Sequence, residues 1–262
     1  MLNEKNFTGP FDVIGDVHGC FGELSELLDK LGYTIEMTDG GGLPAYPEGR
    51  FSLCHPEDRL PVFLGDLFDR GPDAPKCFSL VSDACENGSA LCVCGNHEGQ
   101  LLRRLKGEST MFMYGLDETV EQLEAYPREF IDRAIGFMEE LPYGYTLDGG
   151  RLVIVHAGLI GDHKGIDTVF AGDYRVYGDT AGENRKYGLP DPYDWVSDYH
   201  GEALVVYGHI PTPEAKFLRN TICIDTGCVY GGSLTAYRYP EGGIVSVPAK
   251  KKYFEPARPI EP

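Results

Sequence analysis

The sequence predicts an α/β/α sandwich, one central sheet between helices, that carries a metal site on the loops at its strand ends. Three observations lead there. The first half repeats a strand, a polar turn and a helix, which is the basic α/β unit. The second half is richer in short apolar β runs. Five separated segments also set metal-ligand residues directly after an apolar run: Gly15-Asp16-Val17-His18-Gly19, Gly65-Asp66-Leu67-Phe68-Asp69-Arg70-Gly71, Gly95-Asn96-His97-Glu98, Val155-His156-Ala157-Gly158 and Tyr207-Gly208-His209. One such segment is weak evidence; five in this order are strong.

The elements follow in order. Phe11 to Ile14 is a strand feeding the first segment. Phe21, Leu24, Leu27, Leu28 and Leu31 then recur at helical spacing, with Gly32 as the stop. Asp39 to Gly49, rich in Gly and Pro, reads as a hairpin connection or loose loop. Leu60 to Leu64 is a strand before Asp66, and Ala74 to Asn87 a helix ending at Gly88. Ala90 to Cys94 is a strand, and helix follows from Gln100 to Lys106. Pro127 opens a helix at its first position, and Pro142 closes it after a buried stripe from Phe130 to Leu141. Strands are expected at Leu152–Val155, 203–207, 221–224, Ser233–Tyr239 and 244–247. Between them, residues 161–199 form a polar excursion with little periodicity, expected over the active-site face.

At 262 residues, with no linker, charge block or repeat, the chain reads as a single domain. No apolar run approaches the roughly 20 residues that span a bilayer, and Met1 to Pro10 lacks a signal pattern, so the expected location is cytoplasmic. The eight cysteines are then expected reduced. Cys92 and Cys94 read as small buried hydrophobes beside the site, since no CxxC pair accompanies them; Cys20 and Cys228 should lie near the catalytic loops. A net charge of −18 repels long polyanions and argues against generic DNA or RNA binding, unless a basic partner recruits the nucleic acid. A compact phosphate remains within reach of a metal pair and a local arginine.

Asp16 and His18, two apart in a tight Gly-flanked turn, can face one cation. Asp66 has two oxygens and can bridge a pair of cations about 3.5–4 Å apart. Asn96 offers a neutral amide oxygen, and His156 and His209 offer imidazole nitrogens at the ends of apolar runs. A lone strand-end histidine is ordinarily structural. Four of the seven histidines fall in these turns, which that reading does not explain, whereas His55, His163 and His200 lack the context. Together Asp16, His18 and Asp66 would hold one metal, and Asp66, Asn96, His156 and His209 the other. A water between them would lose a proton near neutral pH and attack phosphorus in line. His97 is placed to protonate the leaving oxygen, Asp69 to fix its tautomer, and Arg70 to hold phosphoryl oxygens. Mixed O/N ligation suits two divalent ions, manganese first, with iron, zinc or nickel also accommodated.

These motifs resemble the calcineurin-like metallophosphoesterase superfamily, in its phosphoprotein-phosphatase-type branch, with signatures GDxHG, GDxxDRG, GNHE, HAG and GH. The resemblance implies a four-layer α/β/β/α sandwich with a dinuclear site on strand-end loops, and a phosphoesterase. It extends over nearly the whole chain, through Val13 to Tyr33, Tyr177-Gly178-Asp179, Asp194-Trp195, Val205 to Pro211, Ile224-Asp225-Thr226-Gly227-Cys228-Val229, Val245 to Pro248 and Tyr253 to Ile260. There it looks like asymmetric bis(5′-nucleosyl)-tetraphosphate hydrolases and the phosphatase domain of bacterial polynucleotide kinase-phosphatase. By that analogy Asp225 joins the site. Two departures stand out: Glu98, usual in protein phosphatases but often replaced in these subgroups, and Cys94, where protein phosphatases carry arginine. No GxxxxGK[ST] loop occurs, so no end-phosphorylating activity is expected.

The expected substrate is a small nucleotide-type phosphate, either a dinucleoside polyphosphate or a nucleotide or RNA end phosphate. Tyr174, Tyr177, Tyr187, Tyr193 and Trp195 could stack a base or merely pack the fold. A serine/threonine phosphoprotein is the alternative. A non-catalytic scaffold would be expected to have lost a ligand, and all six are present.

Overall fold

Two sheets lie face to face, and each contributes three parallel strands whose carboxyl ends carry the motif segments. The computed structural model of the chain describes residues 2–3, 7–38, 49–110, 115–159, 180–184, 189–192 and 195–260. The six-stranded sheet contains β1 (Leu2–Asn3), β7 (Gly144–Leu147), β8 (Leu152–Val155), β11 (Leu204–Tyr207), β13 (Thr221–Cys223) and β12 (Lys216–Leu218), in that order. The five-stranded sheet runs β15 (Gly243–Pro248), β14 (Ser233–Tyr239), β2 (Phe11–Ile14), β5 (Leu60–Phe63), β6 (Leu91–Cys92). Two antiparallel pairs complete the strands: β3 (Thr34–Thr38) with β4 (Arg50–Cys54), and β9 (Thr180–Asn184) with β10 (Leu189–Pro192).

Within the five-stranded sheet β2, β5 and β6 are parallel, with Val13 opposite Val62 and Val62 opposite Leu91. In the six-stranded sheet β8, β11 and β13 are parallel, with Val205 opposite both Val153 and Thr221. Strand alternation then sorts the side chains. Phe11, Val13, Val62, Leu64 and Val93 meet Leu152, Ile154, Val206, Ile222 and Ile224 in a core between the sheets. Ile14, Phe63 and Cys92 point the other way, into a larger core under α1 (Phe21–Leu31), α2 (Ala74–Glu86), α4 (Leu116–Glu124) and α5 (Arg128–Glu140). α3 (Asn96–Leu105) packs beside α5. The outer face of the six-stranded sheet buries Val153, Val155 and Val205 against Trp195, Val196 and Tyr199, on and just after the short helix α6 (Trp195–Asp198).

The residue pattern alone reads as one central sheet between helices; the molecule has two, layered helix, sheet, sheet, helix as the resemblance implied. Most expected elements appear within a residue or two. Three differ. α3 begins at Asn96 rather than Gln100, so Asn96, His97 and Glu98 form its first turn. β6 stops at Cys92, and Pro127 is the N-cap of α5, one position before its first helical residue. Elements absent from the sequence reading, among them β1, β3, β4, β7, β12 and α4, complete the frame. Residues 34–38 and 50–54 pair, so the Gly/Pro stretch joins a hairpin, although 39–48 lie outside the described residues. Of the 161–199 excursion, the described parts are β9, β10 and α6 with Tyr199.

Candidate metal centre

Both parallel triplets end on the same edge, which brings the motif loops together. Asp16 and His18 follow β2, Asp66 follows β5, Asn96 follows β6, His156 follows β8, His209 follows β11 and Asp225 follows β13. Two contacts clamp the sheets to one another here. The His156 ring Nδ1 lies 2.8 Å from Leu64 O, and His209 N donates to Asp16 Oδ2 at 3.0 Å. All seven of these side chains are largely buried except His209, which is partly exposed.

The backbone is strained where the side chains converge. His18, Asp66, Asp69, Arg70 and His209 all have positive φ, between 43° and 72°. Asp and His tolerate that region better than most residues, whereas for a bulky Arg it is an outlier. Such conformations cost about 1–3 kcal/mol each and persist only where the surroundings enforce them. The packing leaves no slack: a β-carbon on Gly95 would strike Asp66 Oδ1, and one on Gly208 would strike Asp16 Oδ1.

Hydrogen-bond accounting shows which lone pairs the centre turns inward. A carbonyl can only accept, so the Nδ1 atoms of His18 (2.8 Å from Phe68 O) and His156 must carry the ring protons. Their Nε2 lone pairs therefore point inward, 3.6 Å and 3.4 Å from the same Asp66 Oδ2. Asn96 Oδ1 lies 2.9 Å from His156 Nε2 and 2.8 Å from His209 Nδ1. Asp16 Oδ1 is buried with no hydrogen-bond partner among the described residues. Apart from His18 Nε2, which also accepts from Arg70, these are acceptors facing acceptors. A proton on Asp66 or His209 relieves one such pair; cations relieve them all. The side-chain atoms of Asp66, His156 and His209 lie within 4.8 Å of one another, as do those of His18, Asp66 and His97. Either group could hold a metal ion, and they share Asp66. His97 thus enters the first group geometrically, a position the sequence reading assigned to Asp16.

The electrostatics agree. Burial pushes the Asp66 carboxyl up to about 7 and that of Asp225 to about 6. Asp16 is raised well above its ordinary range by burial and then by the Asp225 and Asp66 charges. Burial also lowers the imidazoles, His156 to about 4. For His18 and His97 the Arg70 charge adds to burial; for His209 it is burial, then His156, Arg70 and Arg258. Neutral imidazoles with crowded carboxylates form a donor set suited to divalent ions.

Around this core, His97 Nδ1 lies 2.5 Å from Asp69 Oδ2, and burial holds Asp69 up at about 7. Arg70 donates to His18 Nε2 at 2.9 Å, and its guanidinium lies 5.5 Å from the centre of the Tyr230 ring. Asp225 Oδ1 accepts from Gly227 N at 2.9 Å. The sequence reading missed Glu98 as a structural agent. Its side chain accepts from the backbone N–H of Asp66 (2.7 Å), Leu67 (2.7 Å) and Gly95 (2.9 Å), tying the Asp66 loop to the start of α3. Burial and the Asp66 charge push Glu98 up to about 8, yet with N–H donors at both oxygens the geometry calls for the carboxylate. The signal was present: a Glu three residues after Gly95 is the reciprocal half of a helix-start capping pattern. Thr119, which accepts from Asp69 N at 3.0 Å, left no such trace.

The remaining candidates divide. Cys92 and Cys94 are buried, as are Cys20 and Cys228, and none of them joins a metal-ligand group among the described residues. His55 pairs with Leu31 O at 3.1 Å and His200 with Arg219 at 2.9 Å, both structural contacts. Trp195 is only 6% exposed and belongs to the core on the six-stranded sheet, so the base-stacking reading fails for it. Tyr174, Tyr177, Tyr187, Tyr193 and His163 lie outside the described residues. No helix of the described residues is long and apolar enough to cross a membrane.

Comparison with known proteins places this geometry. The bis(5′-nucleosyl)-tetraphosphatase PrpE (asymmetrical) of Bacillus subtilis is 40% identical over 255 residues, covering 95% of this chain and 99% of the relative. The protein of the same name from Anoxybacillus flavithermus is 40% identical over 256 residues, covering 96% and 99%. A crystal structure of a candidate diadenosine tetraphosphatase has a TM-score of 0.64 at 23% identity, covering 95% of this chain and 97% of that one. A serine/threonine phosphatase of Saccharomyces cerevisiae has a TM-score of 0.60 at 16% identity, covering 95% and 83%. Those two structures bear on the fold alone. The model of the calcineurin-like phosphoesterases, hydrolases that use divalent metals, matches residues 9–241, and the chain belongs to that family.

Proposed function

We propose that this phosphoesterase cleaves a dinucleoside polyphosphate, with dinucleoside tetraphosphate as the leading substrate and a nucleotide or RNA end phosphate as the wider class. The observation that carries the two-cation reading is Asp66 Oδ2, which faces an inward imidazole lone pair on either side. The near full-length 40% identity to proteins named bis(5′-nucleosyl)-tetraphosphatase supports the substrate.

In this reading Asp16, whose buried Oδ1 has no hydrogen-bond partner among the described residues, would join His18 and Asp66 around one divalent ion. His97 beside them is kept for proton transfer by its bond to Asp69. Asp66, Asn96, His156 and His209 would hold the second ion, with manganese as the leading metal. The pair would neutralise phosphoryl oxygens and acidify a bound water. The protein's own groups do the rest. Arg70, which now donates to His18 Nε2, would be free to offer its donor fork to the phosphoryl group if that nitrogen held a cation. The Tyr230 face keeps it near the centre. His97 gives its Nδ1 proton to the hydrogen bond with Asp69, leaving Nε2 to carry the proton that goes to the departing oxygen. Burial alone disfavours that imidazolium; the negative charge of an arriving phosphate restores it. Asp225 adds a carboxylate beside Asp16 and is held by the Gly227 N–H.

A panel with manganese-loaded protein tests this. It compares diadenosine tetraphosphate, a 2′,3′-cyclic nucleotide and a phosphopeptide. The expected outcome is highest kcat/KM on the tetraphosphate, released as a nucleoside triphosphate and a monophosphate. A phosphopeptide turned over more efficiently would overturn the substrate assignment.

A further inference from the structure

The turn that carries Asp69 and Arg70 is closed by one short bond. Gly71 N donates to Asp69 O at 2.8 Å, which makes a three-residue γ-turn centred on Arg70, whose φ is 69°. That form of turn is rare and strained, and Asp69 before it also sits at φ 70°. Such backbone persists only where its surroundings enforce it. α4 supplies that enforcement. Gly115, its N-cap, lies at i to Thr119 at i+4 and Gln122 at i+7, so the three share one face of the helix. They meet the turn residue by residue. The Thr119 hydroxyl accepts from Asp69 N at 3.0 Å and donates onward to Gly115 O at 3.2 Å. A β-carbon on Gly115 would lie 2.5 Å from Arg70 N, so the helix cap abuts Arg70 directly. Gln122 Nε2 donates to Gly71 O at 3.0 Å, while its Oε1 accepts from Ala74 N, at the start of α2, at 2.9 Å.

We propose that this face of α4 is a clamp on the reaction's proton donor and its phosphate-binding arginine, with Thr119 and Gln122 as positioning residues. Thr119 acts through Asp69, whose side chain is bonded to His97 Nδ1 at 2.5 Å. Gln122 acts through Gly71 on Arg70, the residue before it. Neither has to touch substrate. Rotation of the turn would swing Asp69 Oδ2 away from the ring it orients, and small misplacements of reacting groups cost rate steeply. The inference rests on the reading of His97 as proton donor and Arg70 as phosphate ligand, but one of its measurements reads the Asp69–His97 bond without turnover.

The test uses the full-length protein. Loaded with zinc, which the donor set also suits and which leaves the spectrum unbroadened, it should show a far-downfield proton resonance from the His97–Asp69 bond. Loss of that signal in His97→Ala assigns it. Thr119→Val keeps the side-chain shape but leaves Asp69 N–H without its acceptor, so it should shift or abolish the resonance. Thr119→Ser, which restores the hydroxyl, should bring it back. With manganese, Thr119→Val should lower kcat about tenfold on an alkyl phosphate and less than about threefold on an aryl phosphate, whose leaving group needs little proton donation. Gln122→Met, at a half-buried position, should instead raise KM about fivefold for both esters and keep the ratio of their kcat values. A lower Tm with the resonance, the leaving-group ratio and KM all unchanged would make α4 a scaffold alone and overturn the proposal. Should Thr119→Val fail to fold, Gln122→Met decides, and an unchanged KM overturns it. Equal loss on both esters in His97→Ala would strike the proton-donor reading instead, and the clamp is then judged by the resonance and by KM.

Discussion

Replacing Glu98 with Gln tests whether one carboxylate sets the Asp66 loop. Oε2 accepts from Asp66 N and Gly95 N, and Oε1 from Leu67 N. Glutamine keeps a single acceptor oxygen. In its better orientation it retains the first two bonds and turns its NH2 against Leu67 N–H, leaving a buried donor without an acceptor at about 1–3 kcal/mol. The two retained bonds also lose their charge assistance. Against this, the Asp66–Glu98 repulsion disappears, which offsets part of the loss. A net destabilisation of about 2 kcal/mol corresponds to a Tm lower by roughly 4–8 °C for a chain of this size. Because Asp66 loses its fixed orientation, manganese affinity should fall about 10–100-fold, as for other residues that orient metal ligands. Scanning calorimetry and a manganese titration read the two effects. A Tm within about 1 °C of wild type, with unchanged affinity, would show that the loop is held by something else.

Other expectations follow from the same geometry. His97→Ala should keep its metals and lose far more activity on poor leaving groups than on aryl phosphates; equal loss on both would remove the proton-donor role. Asp66→Asn should lose both cations by metal analysis, and full occupancy would contradict a shared carboxylate. In the metal-free protein Asp66 and Asp225 are raised to about 7 and 6. Above about pH 6.5, where the imidazoles are neutral folded or unfolded, the folded state therefore binds more protons than the unfolded one, and stability drops as pH climbs to about 8. Below that the lowered His18, His97, His156 and His209 act in the opposite sense. Cations must displace those protons, so manganese affinity should rise with pH over the same window, by up to about tenfold per unit for each proton displaced. The imidazoles, already neutral, add no competition above pH 6. A metal-free Tm that rises with pH above about 6.5, alongside flat manganese affinity, would refute this.

The edge that gathers the motif residues was legible because those residues are few in type and each follows an apolar strand. Asp16, Asp66, Asn96, His156 and His209 could be placed together from that rule alone, and the parallel order of β2, β5, β6 and β8, β11, β13 is what makes it hold. Less legible was whatever depends on tertiary pairing. The split into two sheets is invisible in strand periodicity, since a buried run such as Leu152-Val153-Ile154-Val155 reads the same in either. The first turn of α3 is polar because it serves the centre, so its apolar stripe begins only at Leu101 and periodicity starts the helix too late. α4 buries little beyond Leu116, Thr119 and Leu123, too sparse a pattern to stand out among its acidic residues. Trp195 shows the reverse limit: an aromatic in a polar stretch reads equally as a base platform or as core, and only the packing of Val153, Val155 and Tyr207 against it decides.

The most direct test counts and locates the cations. Wild-type protein reconstituted with manganese should hold two ions per chain and show the electron paramagnetic resonance of an exchange-coupled pair, since one carboxylate oxygen faces both imidazole groups. Two magnetically isolated ions, or fewer than one per chain, would contradict the shared centre on which the mechanism stands.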